Sequence, residues 1–476
     1  MDGSEIAELD ATAQAQLVRD GLATPLELVD AAIDMIQRRD PQIGALVYER
    51  FDRARSEAQG ELPDGPFRGV PMLLKDGVQH SRGDRYQHGL RALAEQPWYS
   101  PDDTTLVRRY REAGFVIVAR SKVPELTSSA TTEPVAHGPV HNPWALDHST
   151  GGSSGGSSAA VAARMVPVAH ANDMGGSIRI PASCCGLVGL KPSRDRTSPG
   201  PDRGEYWGPL THEHVVARTV RDSAAVLDAT AGPTPGDLHR APPPARPWLD
   251  EVGADVAPLR VGLIVDSTDG EPVDPECVEA ATRTAEVLES AGHHVEPAPA
   301  GPLTDSAGMA AFSAVVAASL AGDALRWERV LGRPLDDLEP QNAEIVATGR
   351  SLSATDLVAA VDELARYSRR VTRSYEHFDV LVTPTLATKP PRLGTLAPLS
   401  PAAERLAVGR LMSMFTRPFN VTGQPAVTVP VHWSADGLPI GAQLVAAVAR
   451  EDLLIRLASL LETALPWSGR RPNLNG

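Results

Sequence analysis

Apolar and polar positions alternate along this 476-residue chain in a way that predicts helices and short strands in mixed order. Near the start, Thr24-Pro25-Leu26-Glu27 has the form of a capping box with proline at the first helical position. Leu28, Ala32 and Ile36 continue it as an apolar stripe, which predicts a helix that Asp40-Pro41 ends. Val70–Leu74 reads as a short strand with Lys75 at its end, Thr104–Ala113 as a helix and Phe115–Ala119 as another strand. Gly151–Gly156 reads as a loop entering the small-residue helix Ser157–Met165. Residues 232–251 are rich in proline and lack periodicity, and mark the strongest internal boundary. Beyond them, residues 260–266 (strand), Pro275–Ala291 (helix) and His293–Glu296 (strand start) form a βαβ unit. His377–Thr385, Gln424–Val431 and Gly437–Ala446 are further strands, followed by a helix near Glu451–Leu461. The pattern predicts an α/β protein with a large, mostly buried sheet.

Composition narrows the function. Hydrophobic residues at 42% and charged residues at 22% are ordinary for a globular protein. A net charge of −15 argues against nucleic acid or an anionic membrane as the main partner. No apolar run approaches the roughly 20 residues of a membrane helix. The first residues lack the basic and apolar regions of a signal peptide, so a cytoplasmic location is expected. Cys184, Cys185 and Cys277 cannot build a disulfide framework and are expected as reduced thiols.

The candidate chemistry lies in one lysine and two glycine–serine clusters. Lys75 ends the apolar run Val70–Leu74, in a chain with only three other lysines, Lys122, Lys191 and Lys389. Arginine keeps its proton in a protein, whereas a buried lysine can give it up. Lysine here therefore points to a base. To be neutral near pH 7, its pKa must fall from about 10.4 by roughly 3 units, at a cost of about 4 kcal/mol, through burial among apolar neighbours. The clusters are Ser149–Ala163 and Ala171–Pro192. In the second, Gly175-Gly176 allow a substrate carbonyl to approach backbone N–H groups, as an oxyanion hole requires, with Ser177 placed as nucleophile. Ser153, from the first cluster, is positioned to pass the proton of Ser177 to Lys75.

Together these clusters resemble the amidase signature family, and the 24-residue separation of Ser153 and Ser177 agrees with it. The similarity covers most of the chain, including FNVTGQPAVTVP (Phe419–Pro430) and DGLPIGAQLVA (Asp436–Ala446). The resemblance implies a single large α/β domain whose central twisted mixed sheet is covered by helices. Its parts would be a helical stretch 1–65, a catalytic core 66–231, a proline-rich connection 232–259 and an α/β part 260–476. It implies Ser177 as nucleophile, Ser153 as bridging serine after a cis peptide, and Lys75 as base. The N–H groups of Met174, Gly175, Gly176 and Ser177 would form the oxyanion hole, supported by Ser154, Asp173 and Arg179. NPWALDHSTGGSSGGS, PVAHANDMGGSIRIPAS and ALPWSGRRP resemble members that open cyclic nylon-oligomer amides. Two positions depart from the family: Met174 before the paired glycines, and Asp195 where glycine is common.

The resemblance implies hydrolysis of small amides, such as cyclic or linear 6-aminohexanoate oligomers, and extends to carbamates and esters. A general aryl-amidase and a glutaminase-type amidotransferase subunit are the alternatives within the family. Outside it, Gly151–Gly155 satisfies the G-x-S-x-G elbow of an α/β-hydrolase esterase with Ser153 as nucleophile. That elbow needs a hydrophobic strand before it and a partner histidine, and the sequence marks neither. His212-Glu213-His214 has metal-ligand spacing but reads as a surface turn, and Cys184-Cys185 as packing beside the nucleophile. No metal or organic cofactor is expected, and the expected partner is a small-molecule amide. A homodimer stays open. Small residues around Ala310–Leu325, among them Ser313 and Ala317, read either as pocket lining or as a tightly packed helix.

Overall fold

The computed structural model describes residues 3–267 and 270–474. Its sheet strands are β1 (Leu46–Glu49), β2 (Pro71–Lys75), β3 (Val116–Ser121), β4 (Val168–Asp173), β5 (Val188–Lys191), β6 (His212–Ala217), β7 (Arg260–Leu263), β8 (His294–Pro297), β9 (Val380–Pro384), β10 (Ala426–Trp433) and β11 (Pro439–Ala446). They form one 11-stranded mixed sheet in the order β1-β3-β2-β4-β6-β5-β10-β11-β9-β7-β8. The pairing runs unbroken from β5 to β10, so the proline-rich stretch interrupts the chain but not the sheet. The architecture is the single-domain α/β fold expected.

Burial on both faces explains why the central strands read as continuous apolar runs. In β2, Leu73 packs with Val29, Ile33 and Ala160 from helices Pro25–Ile43 and Gly155–Ala162. Met72 and Leu74 face the other way, with Leu106 and Val226 from helices Thr105–Glu112 and Val220–Thr230. β7 and β8 pair in parallel around helix Pro275–Ser290, the βαβ unit read from sequence.

The capping box forms: Glu27 N–H donates to Thr24 Oγ1 (3.2 Å) and Thr24 N–H to Glu27 Oε2 (2.7 Å). The stop at Asp40-Pro41 does not hold, because the helix continues to Ile43. Proline's missing N–H falls in the last turn, which Gly44 in the left-handed conformation (φ 66°) closes. His212-Glu213-His214 is a buried stretch of β6, paired with β4, and not a surface turn. One helix, Ser306–Leu331, is long and apolar enough to cross a membrane by length and composition, with a mean hydropathy of 1.5, contrary to the sequence reading. Here it packs against helices Pro340–Ser351 and Ala354–Ser374, and it carries the buried Asp323. It is both of the things read for Ala310–Leu325: Ser313 faces a cavity, while Ala317 is tightly packed.

Gly349 marks that packing, since a Cβ there would lie 2.0 Å from the Ala317 carbonyl oxygen. Gly349→Ala is expected to destabilise the protein by about 1–3 kcal/mol, the usual cost of overpacking. Denaturant unfolding checks this, and an unchanged midpoint would show that the helix pair can spread at no cost.

Candidate active site

Parallel β2 and β4 deliver their C-terminal ends to one edge of the sheet, which places Lys75 beside Asn172 and Asp173. Antiparallel β6 begins at that edge, pairing Glu213 with Asn172. The first glycine–serine cluster crosses above this edge and enters helix Gly155–Ala162. The Gly152–Ser153 peptide is cis, and a Cβ on Gly152 would lie 2.5 Å from the Thr131 carbonyl oxygen. Only glycine fits that approach.

Lys75 is fully buried, and its Nζ contacts three groups: Ser153 Oγ (2.8 Å), Ser154 Oγ (2.7 Å) and Asn172 Oδ1. The amide of Asn172 is oriented by its other end, where Nδ2 donates to Gly77 O (3.5 Å) and Glu213 Oε1 (3.4 Å). Oδ1 must therefore accept from Lys75. Ser154 Oγ donates to Asn172 O (3.3 Å), so it too accepts from Lys75. A neutral amine has two hydrogens and one lone pair, and these two bonds use both hydrogens. The lone pair is left facing Ser153 Oγ–H. Loss of hydration on burial pushes the Lys75 amine down to about 7, although Glu213 and then Asp173 pull it upward.

Asp173 organises the second cluster. Its carboxylate accepts from the N–H groups of Gly176 (2.7 Å) and Ile178 (3.1 Å), and from Arg179 Nε and Nη2 (both 2.9 Å). Arg179 beside it, after the opposing cost of burial, holds the Asp173 carboxyl well below the usual carboxylate range. Arg179 also donates to Gln443 Oε1 (2.7 Å) and Asn420 Oδ1 (2.6 Å), and Asn420 Nδ2 returns to Asp173 Oδ1 (2.8 Å). Thr416 Oγ1 donates to Gly175 O (2.7 Å). The Gly175–Gly176 peptide is thus held at both ends, with its N–H turned to Asp173. Of the four N–H groups expected in the oxyanion hole, that of Gly176 donates to Asp173 in this structure.

Ser177, 9% exposed, opens onto a cavity of about 290 Å³ together with Met174 and Gly175. Trp207, Phe312, Val316 and Ile345 form an apolar wall, and Met174 adds to it. Asp195 adopts φ 60°, the left-handed conformation that glycine would otherwise supply. Cys184 and Cys185 are buried, free thiols in helix Arg179–Cys185, which follows Ser177. No cluster of metal-ligating side chains occurs among the described residues. His212 and His214 instead bond Leu210 O (2.9 Å) and Ser223 Oγ (3.0 Å). Sequence reasoning missed Asn172, Glu213, Thr416, Asn420 and Gln443. Asn420 and Gln443 do lie in the two C-terminal segments whose similarity to the family was apparent.

Residues 27–455 match the family model Amidase, and the chain belongs to that family. It is an amide hydrolase, acting on carbon–nitrogen bonds. It is 43% identical over 478 residues to the 6-aminohexanoate-cyclic-dimer hydrolase of Paenarthrobacter ureafaciens, across 98% of this chain and 96% of that protein. The solved structure of 6-aminohexanoate cyclic dimer hydrolase complexed with substrate superposes with a TM-score of 0.94 at 42% identity, covering 99% of this chain and 100% of that one. A bacterial aryl acylamidase of the amidase signature family superposes at 0.87 with 26% identity, over 96% and 97% of the two chains. The esterase alternative finds no support, since the partner of Ser153 is a lysine and no histidine.

Gly176 adopts φ 136°, and a Cβ there would meet Thr416 Oγ1 at 2.4 Å and Ile180 Cδ1 at 2.6 Å. Gly176→Ala is expected to lower kcat/KM for amide hydrolysis by about 10²-fold or more by displacing this turn. Steady-state kinetics, with circular dichroism to confirm folding, checks this. A variant within a few-fold of the parent would show that the turn tolerates the shift.

Proposed function

We propose that the chain hydrolyses small amides through an acyl-enzyme on Ser177, with Ser153 as proton relay and Lys75 as base. The observation that carries this reading is the buried Lys75, whose Nζ lies 2.8 Å from Ser153 Oγ with Ser154 Oγ and Asn172 Oδ1 as its other partners, so that the neutral amine can give both hydrogens to Asn172 and Ser154 and turn its lone pair to Ser153. Ser177 Oγ forms the bond to the amide carbon, its proton moves to Ser153 Oγ, and the proton of Ser153 moves to Lys75 Nζ. When the carbon–nitrogen bond breaks, that proton returns through Ser153 to the leaving amine. Water, deprotonated by the same route, then cleaves the ester, releasing the carboxylic acid and restoring Ser177. In this reading the N–H groups of Gly175 and Ser177, with that of Met174 behind them, face the carbonyl oxygen, and Asp173 and Arg179 hold their turn rigid.

The substrate class we propose is cyclic or linear 6-aminohexanoate oligomers and similarly small amides. It is supported by the likeness to the cyclic-dimer hydrolase over nearly the whole chain and by the apolar wall beside Ser177. A 6-aminohexanoate dimer is expected to give a higher kcat/KM than glutamine or a simple anilide. A preference for glutamine would favour the amidotransferase reading, and turnover of the anilide alone the aryl-amidase reading. A serine-directed sulfonyl fluoride is expected on Ser177, located by peptide mass spectrometry, and its appearance on Ser153 would reverse the two roles.

Lys75→Arg is expected to be as inactive as Lys75→Ala, about 10²–10⁴-fold down or more, because guanidinium cannot accept the proton. The base must be neutral, so kcat/KM should rise with pH through a limb near 7. Glu213 raises the Lys75 pKa, so Glu213→Gln should move that limb to lower pH. Movement to higher pH, or an active Lys75→Arg enzyme, would overturn the lysine assignment.

A further inference from the structure

Part of the wall beside Ser177 is a loop that depends on a helix of the same wall. Phe312 and Val316 line the cavity from helix Ser306–Leu331. Two turns beyond Val316, and so on the same face, stands Asp323, the only charged residue between Ser306 and Leu325 and 2% exposed. A carboxylate buried on an apolar helix needs hydrogen-bond donors and an opposite charge. One loop supplies both: Arg203 Nη2 donates to Asp323 Oδ1 (2.8 Å), and Tyr206 Oη (2.8 Å) and Trp207 Nε1 (3.3 Å) donate to Oδ2. The Arg203 guanidinium also lies over the Tyr206 ring, 4.6 Å from its centre. Trp207 is the member of the three that lines the cavity. Its φ of 55° lies in the left-handed region, which a bulky residue adopts only where its surroundings impose it. Its neighbours Tyr206 and Gly208 line a second cavity of about 230 Å³, to which His212 and Glu213 also contribute. The loop thus runs between two cavities, with space to shift into, and the donors gathered on Asp323 tie it to the helix.

An apolar pocket discriminates by size only as far as its walls stay in place. An indole free to swing into the space behind it would bound nothing, whereas one held by its N–H presents a fixed face to methylene groups. We propose that Trp207 limits the size of the amide that reaches Ser177, and that Asp323 is the positioning residue that holds it there. This rests on the assignment of Ser177, in the same cavity, as nucleophile and on the small amides proposed as its substrates.

The test compares the 6-aminohexanoate cyclic dimer with the larger cyclic trimer, which has the same amide and methylene chemistry. The wild type is expected to favour the dimer in kcat/KM. In Asp323→Ala the trimer-to-dimer ratio should rise at least about 5-fold, with KM for the dimer raised more than kcat is lowered. The isosteric Asp323→Asn keeps one accepting oxygen and should show part of that shift. Trp207→Phe loses the indole N–H and shortens the wall, so it should move the ratio in the same direction. Combined with Asp323→Ala, it should move the ratio by less than the product of the two single changes, because both act on one contact. An Asp323 that only stabilises the fold would slow both substrates alike, and Asp323→Asn and Trp207→Phe keep the comparison open if Asp323→Ala does not fold. A wild type that cleaves the trimer as readily as the dimer, or a ratio unmoved in Trp207→Phe, overturns the size limit. A ratio unmoved in the folded Asp323 variants overturns the positioning role. Either result leaves the amidase reading standing. Failure of the wild type to cleave the dimer and the trimer counts against the proposed function itself, and the size limit falls with it.

Discussion

The burial of one amine organises this structure. Lys75 lies at the end of a fully buried strand, and carrying its charge there would leave an ammonium without water. Shifting its pKa to about 7 costs about 5 kcal/mol relative to an exposed lysine. That cost is tolerable only because the surrounding groups complete the hydrogen bonds of the neutral form. Asn172 and Ser154 take its two hydrogens, and Glu213, through the Asn172 amide, fixes which end of that amide faces the lysine. The glycine–serine loop must come close enough to deliver Ser153 and Ser154, which explains the contact between Gly152 and Thr131.

A second buried network couples the two halves of the sheet to the same place. The Asp173–Arg179 pair is wholly buried, a costly arrangement unless its remaining hydrogen bonds are filled. Asn420, Thr416 and Gln443 fill them, drawing the chain before β10 and the middle of β11 against the turn that carries Ser177. The segments Phe419–Pro430 and Asp436–Ala446 thus bear on the site although neither carries Lys75, Ser153 or Ser177. Glu451, at the start of the helix after β11, pairs with Arg196 and accepts from the Ser193 N–H (2.9 Å), fastening the loop after β5 to the same C-terminal part.

Much of this was legible in the sequence because it depends on neighbours along the chain. The capping box, the apolar runs of β2 and β3, the βαβ unit and the two small-residue clusters each declare themselves within some twenty residues. Lys75 stood out because lysine is rare in this chain and ends an apolar strand. The helices between 306 and 413 were less legible. Helix Ser306–Leu331 is apolar on most sides, so no simple period separates its buried positions from the exposed ones, whereas in Ala354–Ser374 the buried Ala360, Leu364, Tyr367 and Val371 keep a helical spacing. The pause expected at Asp40-Pro41 failed for a related reason, because a proline in the final turn removes only one bond that the closing glycine makes dispensable.

The sequence by itself determined the α/β class and the main strands, since composition and periodicity are properties of the chain, and its likeness to the family singled out Lys75, Ser153 and Ser177, of which the structure brings Lys75 and Ser153 into contact. Only the tertiary structure decided which N–H groups of the glycine turn remain available, and which polar residues complete the environment of Lys75 and Asp173. Asn172 lies 97 residues from Lys75, and Gln443 lies 264 from Arg179. Partners so distant are chosen by strand order and register, which bring buried donors to buried acceptors and leave no mark in the local pattern of residues.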